Sequence, residues 1–317
     1  MNFPLLNFSY FKITYKFIDN AEFNRYSTGN LVRGAFGETL RRMICTELLA
    51  DCKPCKIKYE CIYQKIFSPI PPTEATKLRK ISDIPRGFVI HYPEDRTIYK
   101  KGDDFVIGLT LVGKIITFLP YIILTLNEIG KDGIGKSRSK MELTGIVQLN
   151  PFTRDEHNLF SGKDKTIRPK DIFFNINSID IKINNIIKIN FITPTRLIKE
   201  KRVLNFPDFS TLVKRLRDRY FALDLFYNEI SNSDNTFDHK EFGVLSEQVT
   251  VMRTDTKFII QNRHARTQKY NLQDTSGFVG TAVYKGNLEH FYKLIMLGQY
   301  FGSGKGTAFG YGRYVLE

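Results

Sequence analysis

The sequence predicts an α+β protein in which one module of strand, helix, glycine loop and strand is used twice. The first copy begins at Phe105-Val-Ile-Gly108 and the second at Phe278-Val-Gly280, 173 positions later. An apolar helical stretch follows each start, and each copy then reaches a Gly-x-Gly-Lys tetrapeptide, at residues 133–136 and at residues 302–305. A repeated βαβ-type unit explains this order better than chance similarity in a chain rich in glycine and isoleucine.

Hydrophobic periodicity places the elements of the N-terminal half. Apolar side chains alternate with polar ones across residues 8–17, which is typical of a half-buried strand. A helical pattern follows from about Leu31 to Leu49, and its polar face carries Arg33, Arg41 and Arg42. Residues 105–149 predict a strand, a helix from near Pro120 to Gly130, a glycine loop and a second strand.

The C-terminal half again alternates strand and helix. A strand-rich stretch ends at residues 193–196, and a long helix follows it. The apolar face of that helix carries Leu212, Leu216, Tyr220, Leu223, Tyr227 and Ile230. We place an N-terminal domain at residues 1–150, with a cysteine-rich insertion at about 45–67, and a C-terminal domain at 172–317. The polar stretch at about 150–171 is predicted to be a linker.

The composition favours a globular protein that binds a polyanion. Hydrophobic residues make up 42% of the chain, which is enough to form a core. Lys and Arg number 47 against 33 Asp and Glu, so the net charge is +14 and nucleic acid is the first candidate partner. Part of the lysine content reflects a general bias towards Lys, Ile and Asn. The placement of arginine therefore carries more weight than the lysine count.

Three features indicate a cytosolic protein that does not enter a membrane. The N-terminal residues lack the basic start, apolar stretch and cleavage site of a secretory signal. The longest uncharged apolar run, residues 115–127, contains a proline and is too short to span a bilayer. All four cysteines lie within residues 45–61, which argues against a disulfide framework spread over the fold.

A glycine-rich stretch near the C-terminus, residues 302–313, is the clearest candidate for RNA binding. Its five glycines exceed what a tight turn needs, and glycine lets backbone amides approach phosphates closely. The predicted RNA-binding residues here are Gly302, Gly304, Lys305, Gly306, Phe309, Gly310, Gly312 and Arg313. A nucleotide-binding Walker loop is excluded, because its first glycine would fall on Gln299 and Gly306 stands in place of its Ser or Thr.

This stretch, Gly-x-Gly-Lys-Gly-Thr-x-Phe-Gly-x-Gly, is similar to the glycine-rich loop of the RAMP superfamily of CRISPR proteins. Residues 31–37 with Leu40-Arg41-Arg42 resemble the opening helix of CRISPR precursor-RNA-processing endoribonucleases in that superfamily. Further segments resemble their cysteine-containing branch in the same order, namely Cys52-x-x-Cys55, Cys61-x-Tyr63, Ile66-Phe67, Thr193-Pro-Thr-Arg-Leu197, Asp208-Phe209, and Arg263 with Gln268. The resemblance covers nearly the whole chain.

The resemblance implies two tandem ferredoxin-like folds, of the RAMP or RRM-like kind, with a small cysteine zinc-knuckle insertion. It also implies a metal-independent endoribonuclease, in which a ribose 2′-hydroxyl attacks the adjacent phosphate of CRISPR repeat RNA. Such a reaction leaves a 2′,3′-cyclic phosphate and a 5′-hydroxyl. The implied partners are the repeat in the precursor and the mature crRNA, and other CRISPR effector subunits are further candidates.

Four cysteines in a short stretch indicate a metal site. Cys45, Cys52, Cys55 and Cys61 offer a CxxC pair with two flanking thiols, a set that suits tetrahedral zinc in a structural knuckle. An iron–sulfur cluster is the alternative, because four thiolate ligands alone do not distinguish it from zinc. Cys45 is the least certain ligand, because the helical pattern that begins at Leu31 runs through it.

The candidate catalytic residues fall in two zones. RNA transesterification needs a base near the 2′-hydroxyl, an acid near the leaving 5′-oxygen and cations around the phosphorane. Many relatives are thought to place a histidine near the first helix, but this chain has none before His91. The first zone therefore offers Tyr26 and Arg33, which would act by stabilising charge, and Arg41 and Arg42 are expected to bind RNA.

The second zone is residues 263–270. His264 is the best general acid or base there, because cations surround it, and Lys269 is a further catalytic candidate. Arg263 and Arg266 are expected to bind RNA.

Two other functions remain open. A non-catalytic RAMP subunit that only grips guide RNA would use the same loop and the same basic surface. A zinc-containing RNA-binding protein outside CRISPR would explain the charge but not the glycine-rich stretch.

Overall fold

The structure is a computed structural model that describes residues 2–48, 51–52, 54–70, 84–168, 170, 172–180, 185–228, 237–264 and 272–317. The chain is of the mixed α+β class and divides into two compact units. The N-terminal unit holds Leu6–Phe174 and Ala222–Ile230, and the C-terminal unit holds Met1–Leu5, Asn175–Phe221 and Ser231–Glu317. In the described part of the chain, no helix combines the length and the apolar composition needed to cross a bilayer.

The N-terminal unit is built on an antiparallel sheet of six strands in the order β3-β5-β1-β6-β7-β8. The strands are β1 (Phe8–Phe17), β2 (Ala21–Glu22), β3 (Phe88–His91), β4 (Ile98–Tyr99), β5 (Asp104–Val112), β6 (Met141–Leu149), β7 (Glu156–Ser161) and β8 (Thr166–Ile167). The helices are α1 (Thr28–Ile44), α2 (Ile62–Phe67), a 3-10 helix (Gly113–Phe118) and α3 (Leu119–Asp132). Strands β2 and β4 form a separate short pair.

The alternation predicted for the first strand is confirmed. Phe11, Ile13, Tyr15 and Phe17 are all buried, and β1 pairs antiparallel with both β5 and β6. Such burial of every second residue lets one face of a strand form core while the other face stays polar.

Helix α1 ends earlier than its sequence pattern predicts. Its last residue is Ile44, and Cys45 follows in an extended conformation. Arg41 and Arg42 occupy the last turn, where cations interact favourably with the helix dipole. The first cysteine of the cluster therefore lies at the end of the helix, outside its regular turns.

The residues expected to be a linker form strands instead. Within 150–171, β7 pairs with β6 and β8 pairs with β7, so the sheet extends beyond the predicted polar boundary. Leu159 and Phe160 supply the buried side chains of β7. Two buried apolar residues are enough to hold β7 in the sheet, although its polar neighbours conceal the strand in the sequence pattern.

The C-terminal unit contains an antiparallel sheet of four strands in the order β12-β15-β9-β16. Its strands are β9 (Ile186–Thr195), β10 (Ile198–Lys199), β11 (Arg202–Val203), β12 (Thr250–Ile259), β13 (Asn262–His264), β14 (Leu272–Asp274), β15 (Gly277–Lys285) and β16 (Tyr314–Leu316). Its helices are α4 (Phe209–Tyr227), which begins in this unit, α5 (His239–Glu247), α6 (Glu289–Phe301) and two 3-10 turns (Ile176–Ser178 and Thr307–Phe309). The predicted apolar face of α4 is buried from Leu212 to Tyr227, and Ile230 lies outside the described residues.

The two copies of the predicted module share their local geometry. In the first copy α3 carries a proline in its first turn and ends at Gly133, and in the second copy α6 ends at Gly302. The two glycines have nearly the same conformation, with φ 77 and ψ 162 at Gly133 and φ 72 and ψ 163 at Gly302. Only glycine adopts such angles without strain, so this common helix end explains why both copies keep a glycine there.

Candidate nucleic-acid interface

The glycine loop, residues 302–313, is shaped by five glycines in the left-handed region. Their φ angles lie between 70° and 79°. Space is restricted as well: a Cβ on Gly304 would lie 2.3 Å from the carbonyl oxygen of Arg196, and one on Gly312 would lie 1.7 Å from that of Ser303. The glycines are therefore required by close packing inside the C-terminal unit, in addition to any approach to a ligand.

Some backbone amides of the glycine loop hold it against β9. The amide of Lys305 donates to the carbonyl of Arg196 at 3.2 Å, and that of Gly312 donates to Pro194 at 3.0 Å. The hydroxyl of Thr193 donates to the carbonyl of Gly310 at 2.8 Å. These bonds tie the loop to the Thr-Pro-Thr-Arg end of β9 and make it a rigid element.

Four other amides of the same loop have no partner among the described residues, and two of them belong to the buried residues Thr307 and Ala308. Within the described part of the chain, the amides of Gly304, Gly306, Thr307 and Ala308 donate to no acceptor. The side chain of Lys305 stands between them and is exposed. Backbone amides without an internal partner, near a lysine, are a usual means by which a protein binds an anion such as a phosphate.

A long hairpin runs beside this loop. Strand β12 pairs with β15, and beyond a bend β13 pairs with β14. At the bend the amide of Gln261 donates to the Ser276 hydroxyl at 3.0 Å, and the amide of Thr275 donates to the Gln261 carbonyl at 2.9 Å. We call the outer part, β13 with β14, the distal hairpin.

Two contacts hold the distal hairpin on the glycine loop and its supporting strand. The guanidinium of Arg263 lies over the Phe309 ring, 3.8 Å from the ring centre. Arg196 forms an ion pair of 2.7 Å with Asp274. A hydrogen bond from Ser276 is the main reason why the pKa of the Asp274 carboxyl lies below its usual value, and Arg196 lowers it further. The structure thus brings together Arg263 and Phe309, which the sequence predicts as RNA-binding residues in two separate segments.

The remaining residues of the second catalytic zone are only partly placed. His264 lies in β13, where its backbone is opposite Leu272. Arg266 and Lys269 lie outside the described residues. Arg313 is half-buried in the glycine loop, and its amide donates to the Thr193 hydroxyl at 2.9 Å.

Helix α1 carries a second basic cluster, in the N-terminal unit. The guanidinium of Arg33 lies 4.3 Å from the centre of the Phe67 ring, and the Tyr63 ring stacks on Phe67 at 5.5 Å. Burial raises the pKa of the Tyr63 phenol, and the charge of nearby Cys52 raises it too, whereas Arg41 and Arg33 act in the opposite direction. We call Arg33, Arg41, Tyr63 and Phe67 the α1 cluster.

Tyr63 and Phe67 were not nominated as functional residues by the sequence. Phe67 reaches α1 because Gly37 leaves room for it: a Cβ there would lie 2.1 Å from the tip of the Phe67 ring. The sequence did contain a signal for these two aromatic residues, because both follow Cys61 closely, within the segment that forms the short helix α2. Their contact with Arg33 depends on how α2 packs, which local periodicity does not specify.

Arg42 and Tyr26 are placed differently from the α1 cluster. Arg42 forms an ion pair with Asp132 on α3, and the hydrogen bond from Arg42 to this carboxylate raises the pKa of Arg42. The side chain of Tyr26 is only 7% exposed, and its backbone φ of 62° is unusual for a residue with a large side chain. Arg42 is therefore engaged within the protein, and the Tyr26 ring belongs to the core.

The four cysteines are free and half-buried. The amide of Cys55 donates to the carbonyl of Cys52 at 3.4 Å, so these two residues share a turn. Within the described residues, which include all four cysteines, no group of three or more potential ligands is gathered as a metal site. The expected zinc knuckle stays a prediction.

Two family models match the chain in succession. The model named AF_1859_N, an N-terminal domain, matches residues 5–172. The model described as CRISPR-associated endoribonuclease Cas6 matches residues 189–314. The second match includes β9 from Ile189 onward, the distal hairpin and the glycine loop.

Similar proteins support the same assignment of fold. An uncharacterised protein of Archaeoglobus fulgidus is 24% identical over 298 residues, which is 91% of each chain. Among solved structures, a Cas6 product complex has a TM-score of 0.56 at 16% identity and covers 98% of this chain and 100% of that one. Thermus thermophilus Cas6 has a TM-score of 0.53 at 17% identity, with full coverage of both chains. At such identities the likeness shows the fold, and it confirms the predicted α+β class with two tandem ferredoxin-like parts.

Proposed function

Since the chain belongs to the AF_1859_N family and carries a domain of CRISPR-associated endoribonuclease Cas6 in its C-terminal half, we propose that it cleaves the repeat RNA of CRISPR precursor transcripts to release crRNA. The observation that best supports RNA as the ligand is the glycine loop, in which the exposed Lys305 lies among four backbone amides that have no partner among the described residues. The net charge of +14 adds long-range attraction for a polyanion. RNA binding should therefore weaken steeply as the salt concentration rises.

We propose RNA transesterification as the chemistry. The ribose 2′-hydroxyl gives its proton to a base and attacks the neighbouring phosphorus, the bond to the 5′-oxygen breaks, and an acid delivers a proton to that oxygen as it leaves. The products carry a 2′,3′-cyclic phosphate and a 5′-hydroxyl. Negative charge develops on the phosphorane and must be stabilised by cations. Guanidinium groups can provide this positive charge without a metal ion.

The α1 cluster supports this chemistry with its own groups. Arg33 and Arg41 place two guanidinium groups around the Tyr63 phenol. The Tyr63 phenol, like an ordinary tyrosine, is protonated at neutral pH, so we propose it as a proton donor rather than a base. His264 and Lys269 remain the proposed candidates in the second zone on sequence grounds.

The proposed activity predicts cleavage in the presence of a chelator. Purified protein in excess over a 5′-labelled CRISPR repeat RNA, with EDTA, is expected to cut at one position. The 3′ end of the upstream product should carry the cyclic phosphate, which mass spectrometry identifies as the loss of one water relative to the phosphate monoester. Cutting that needs added magnesium would contradict the proposed mechanism.

The second candidate function is a RAMP subunit that binds guide RNA without cutting it. One observation favours it: no histidine precedes His91, and His91 is buried in the sheet with its ring 2.9 Å from the Thr110 hydroxyl. The histidine thought to act near the first helix of many relatives therefore has no counterpart here. Tight binding of repeat RNA that stays intact in the same assay would establish this alternative.

We also propose that the cysteine-rich segment binds one structural zinc ion through Cys45, Cys52, Cys55 and Cys61. The donor set supports this, since four thiolates are typical of closed structural zinc sites. No step of the cleavage reaction is assigned to the metal. We propose that RNA is the main partner and that other CRISPR effector subunits are further partners. We also propose a cytosolic location.

Elemental analysis by mass spectrometry tests the zinc proposal independently of activity. The protein purified without added metal should hold about one zinc per chain. The double variant Cys52→Ser/Cys55→Ser should lose that zinc and melt at a lower temperature. Iron together with visible absorbance would indicate a cluster instead, and a metal-free protein with an unchanged melting temperature in EDTA would overturn the proposal.

A further inference from the structure

The N-terminal unit has its own counterpart of the glycine loop. It is the segment at residues 133–140, Gly-Ile-Gly-Lys-Ser-Arg-Ser-Lys, which joins α3 to β6 and which we call the basic turn. It begins with the Gly-x-Gly-Lys tetrapeptide of the first module copy. Its cations are Lys136, Arg138 and Lys140, and all three side chains are exposed.

Internal hydrogen bonds give the basic turn a fixed shape. Ile134 and Ser139 bond to each other through both backbone amides, at 3.1 and 3.0 Å, and the Arg138 amide donates to the Gly135 carbonyl at 3.3 Å. The Ile134 side chain is buried, and the Ser139 hydroxyl donates to the Asn20 carbonyl at 2.8 Å. A turn held in this way loses little freedom when a ligand binds, which favours affinity.

Three consecutive amides of the basic turn have no internal acceptor. In the part of the chain that the structure describes, the amides of Gly135, Lys136 and Ser137 donate to no carbonyl and no side chain. Successive amides in a turn are a common backbone site for an anion. The glycine loop has the same feature around Lys305, so both copies of the module combine unbonded amides with an exposed lysine.

The cations of the basic turn are not neutralised within the described part of the protein, where none of them forms an ion pair. Two carboxylates close to the turn are engaged with other groups. Asp132 accepts from Arg42 and from the Thr39 hydroxyl, and Asp19 accepts from the Lys140 amide at 3.0 Å. The turn itself contains three cations and no acidic residue, so its surface attracts anions.

We propose that the basic turn binds phosphate groups of the repeat RNA backbone, as a contact additional to the glycine loop. The three amides and the side chains of Lys136 and Arg138 supply the donors, and a guanidinium can bind one phosphate through two parallel hydrogen bonds. Such contacts position the RNA without reading its sequence. This inference rests on the proposed function, because it takes the repeat RNA as the ligand.

The composition of the basic turn favours a phosphate backbone over a base or a protein partner. Residues 133–140 include no aromatic side chain on which an unpaired base could stack. Protein interfaces are usually centred on apolar anchors, and the single apolar side chain of the turn, Ile134, is buried. Exposed cations beside backbone amides match what a phosphodiester needs.

The first test is the double variant Lys136→Gln/Arg138→Gly. Glycine is chosen at 138 because Arg138 has φ 48°, a conformation that glycine adopts without strain, so the variant should melt at the wild-type temperature or above. Binding is measured with repeat RNA that carries a 2′-deoxy nucleotide at the mapped cut site and therefore stays intact. The variant should bind about 5- to 30-fold more weakly, and its salt slope should fall by about 1.4.

Methylphosphonate linkages identify the phosphates involved. Each RNA of a set carries one such neutral linkage in place of a charged phosphate. For the wild-type protein, one or two positions bound by the basic turn should weaken binding by about 5- to 10-fold. In K136Q/R138G the loss at these positions should shrink to about twofold, while the losses at all other positions stay as in the wild type.

The matched control is Lys163→Gln/Lys165→Gly in the turn between β7 and β8. This turn also exposes two lysines, and Lys165 has φ 53°. It differs from the basic turn in carrying a carboxylate, that of Asp164, which accepts from the Thr166 hydroxyl at 2.6 Å. The control changes the net charge by the same amount and should weaken RNA binding by no more than about twofold.

The outcomes separate the two levels of inference. If K136Q/R138G weakens binding no more than K163Q/K165G does, or if its methylphosphonate losses equal those of the wild type at every position, the basic turn is overturned as a phosphate site while RNA binding stands. If the wild-type protein does not bind repeat RNA at all, the proposed function falls and the role of the basic turn falls with it.

Discussion

Replacing Gly312 with alanine is expected to lower the free energy of unfolding by roughly 3 kcal/mol. The residue has φ 70°, and its new methyl group would lie 1.7 Å from the Ser303 carbonyl oxygen, so strain and a steric clash act together. The clash involves backbone rather than a flexible side chain, and relief would require the two ends of the glycine loop to separate, which breaks the hydrogen bond of 2.9 Å from the Ser303 amide to the Gly312 carbonyl. Urea denaturation followed by circular dichroism measures the change.

Gly34→Ala is the matched control for this prediction. Gly34 lies inside α1, and a Cβ there would have no atom within 4 Å. The control should be more stable than the wild type by about 0.5–1 kcal/mol, because alanine loses less entropy in a helix. RNA affinity should fall for G312A and not for G34A. A G312A protein that unfolds at the wild-type urea concentration would show that the loop packing is wrong.

The second large effect is expected from Arg33→Ala, which should slow single-turnover cleavage by about 10²- to 10³-fold at saturating protein. The guanidinium is fixed over Phe67 beside Tyr63 and Arg41, so its removal takes a preorganised cation from the proposed site of phosphorane charge. The rate constant at saturation separates this effect from weaker RNA binding.

Arg42→Ala is the control on the same helix. Arg42 is engaged with Asp132, so its removal should leave the cleavage rate within about threefold of wild type and cost at most about 1 kcal/mol of stability. If R33A cleaves at the wild-type rate, or if R42A is impaired as severely as R33A, the α1 cluster is not the catalytic site.

Local sequence patterns predicted well those features that depend only on residues within one helix or strand. The alternation in β1 and the proline in the first turn of α3 depend on neighbours in the chain, and the structure confirms both. Gly130, expected to end that helix, lies inside it instead. A Cβ there would lie 2.5 Å from the carbonyl oxygen of Met141, so packing on β6 explains this glycine.

The side-chain contacts that form the candidate sites could not be predicted from local sequence patterns. Arg263 meets Phe309 across 46 positions of sequence, and Arg33 meets Phe67 across 34. Each pair depends on how a hairpin or a short helix packs on another element, which no periodicity encodes. The glycine loop was recognised, but the role of its glycines in packing against Arg196 and Ser303 became visible only in three dimensions.

The most direct test of the central claim is a single 2′-deoxy substitution in the repeat RNA, placed at the nucleotide whose 2′-hydroxyl precedes the mapped cut. The substrate keeps its sequence, its charge and nearly its shape, and loses only the proposed nucleophile. In EDTA, we expect the protein to bind this RNA within about threefold of the unmodified repeat and no longer to cut it. Continued cutting at the same phosphate would contradict an endoribonuclease that works through the ribose 2′-hydroxyl.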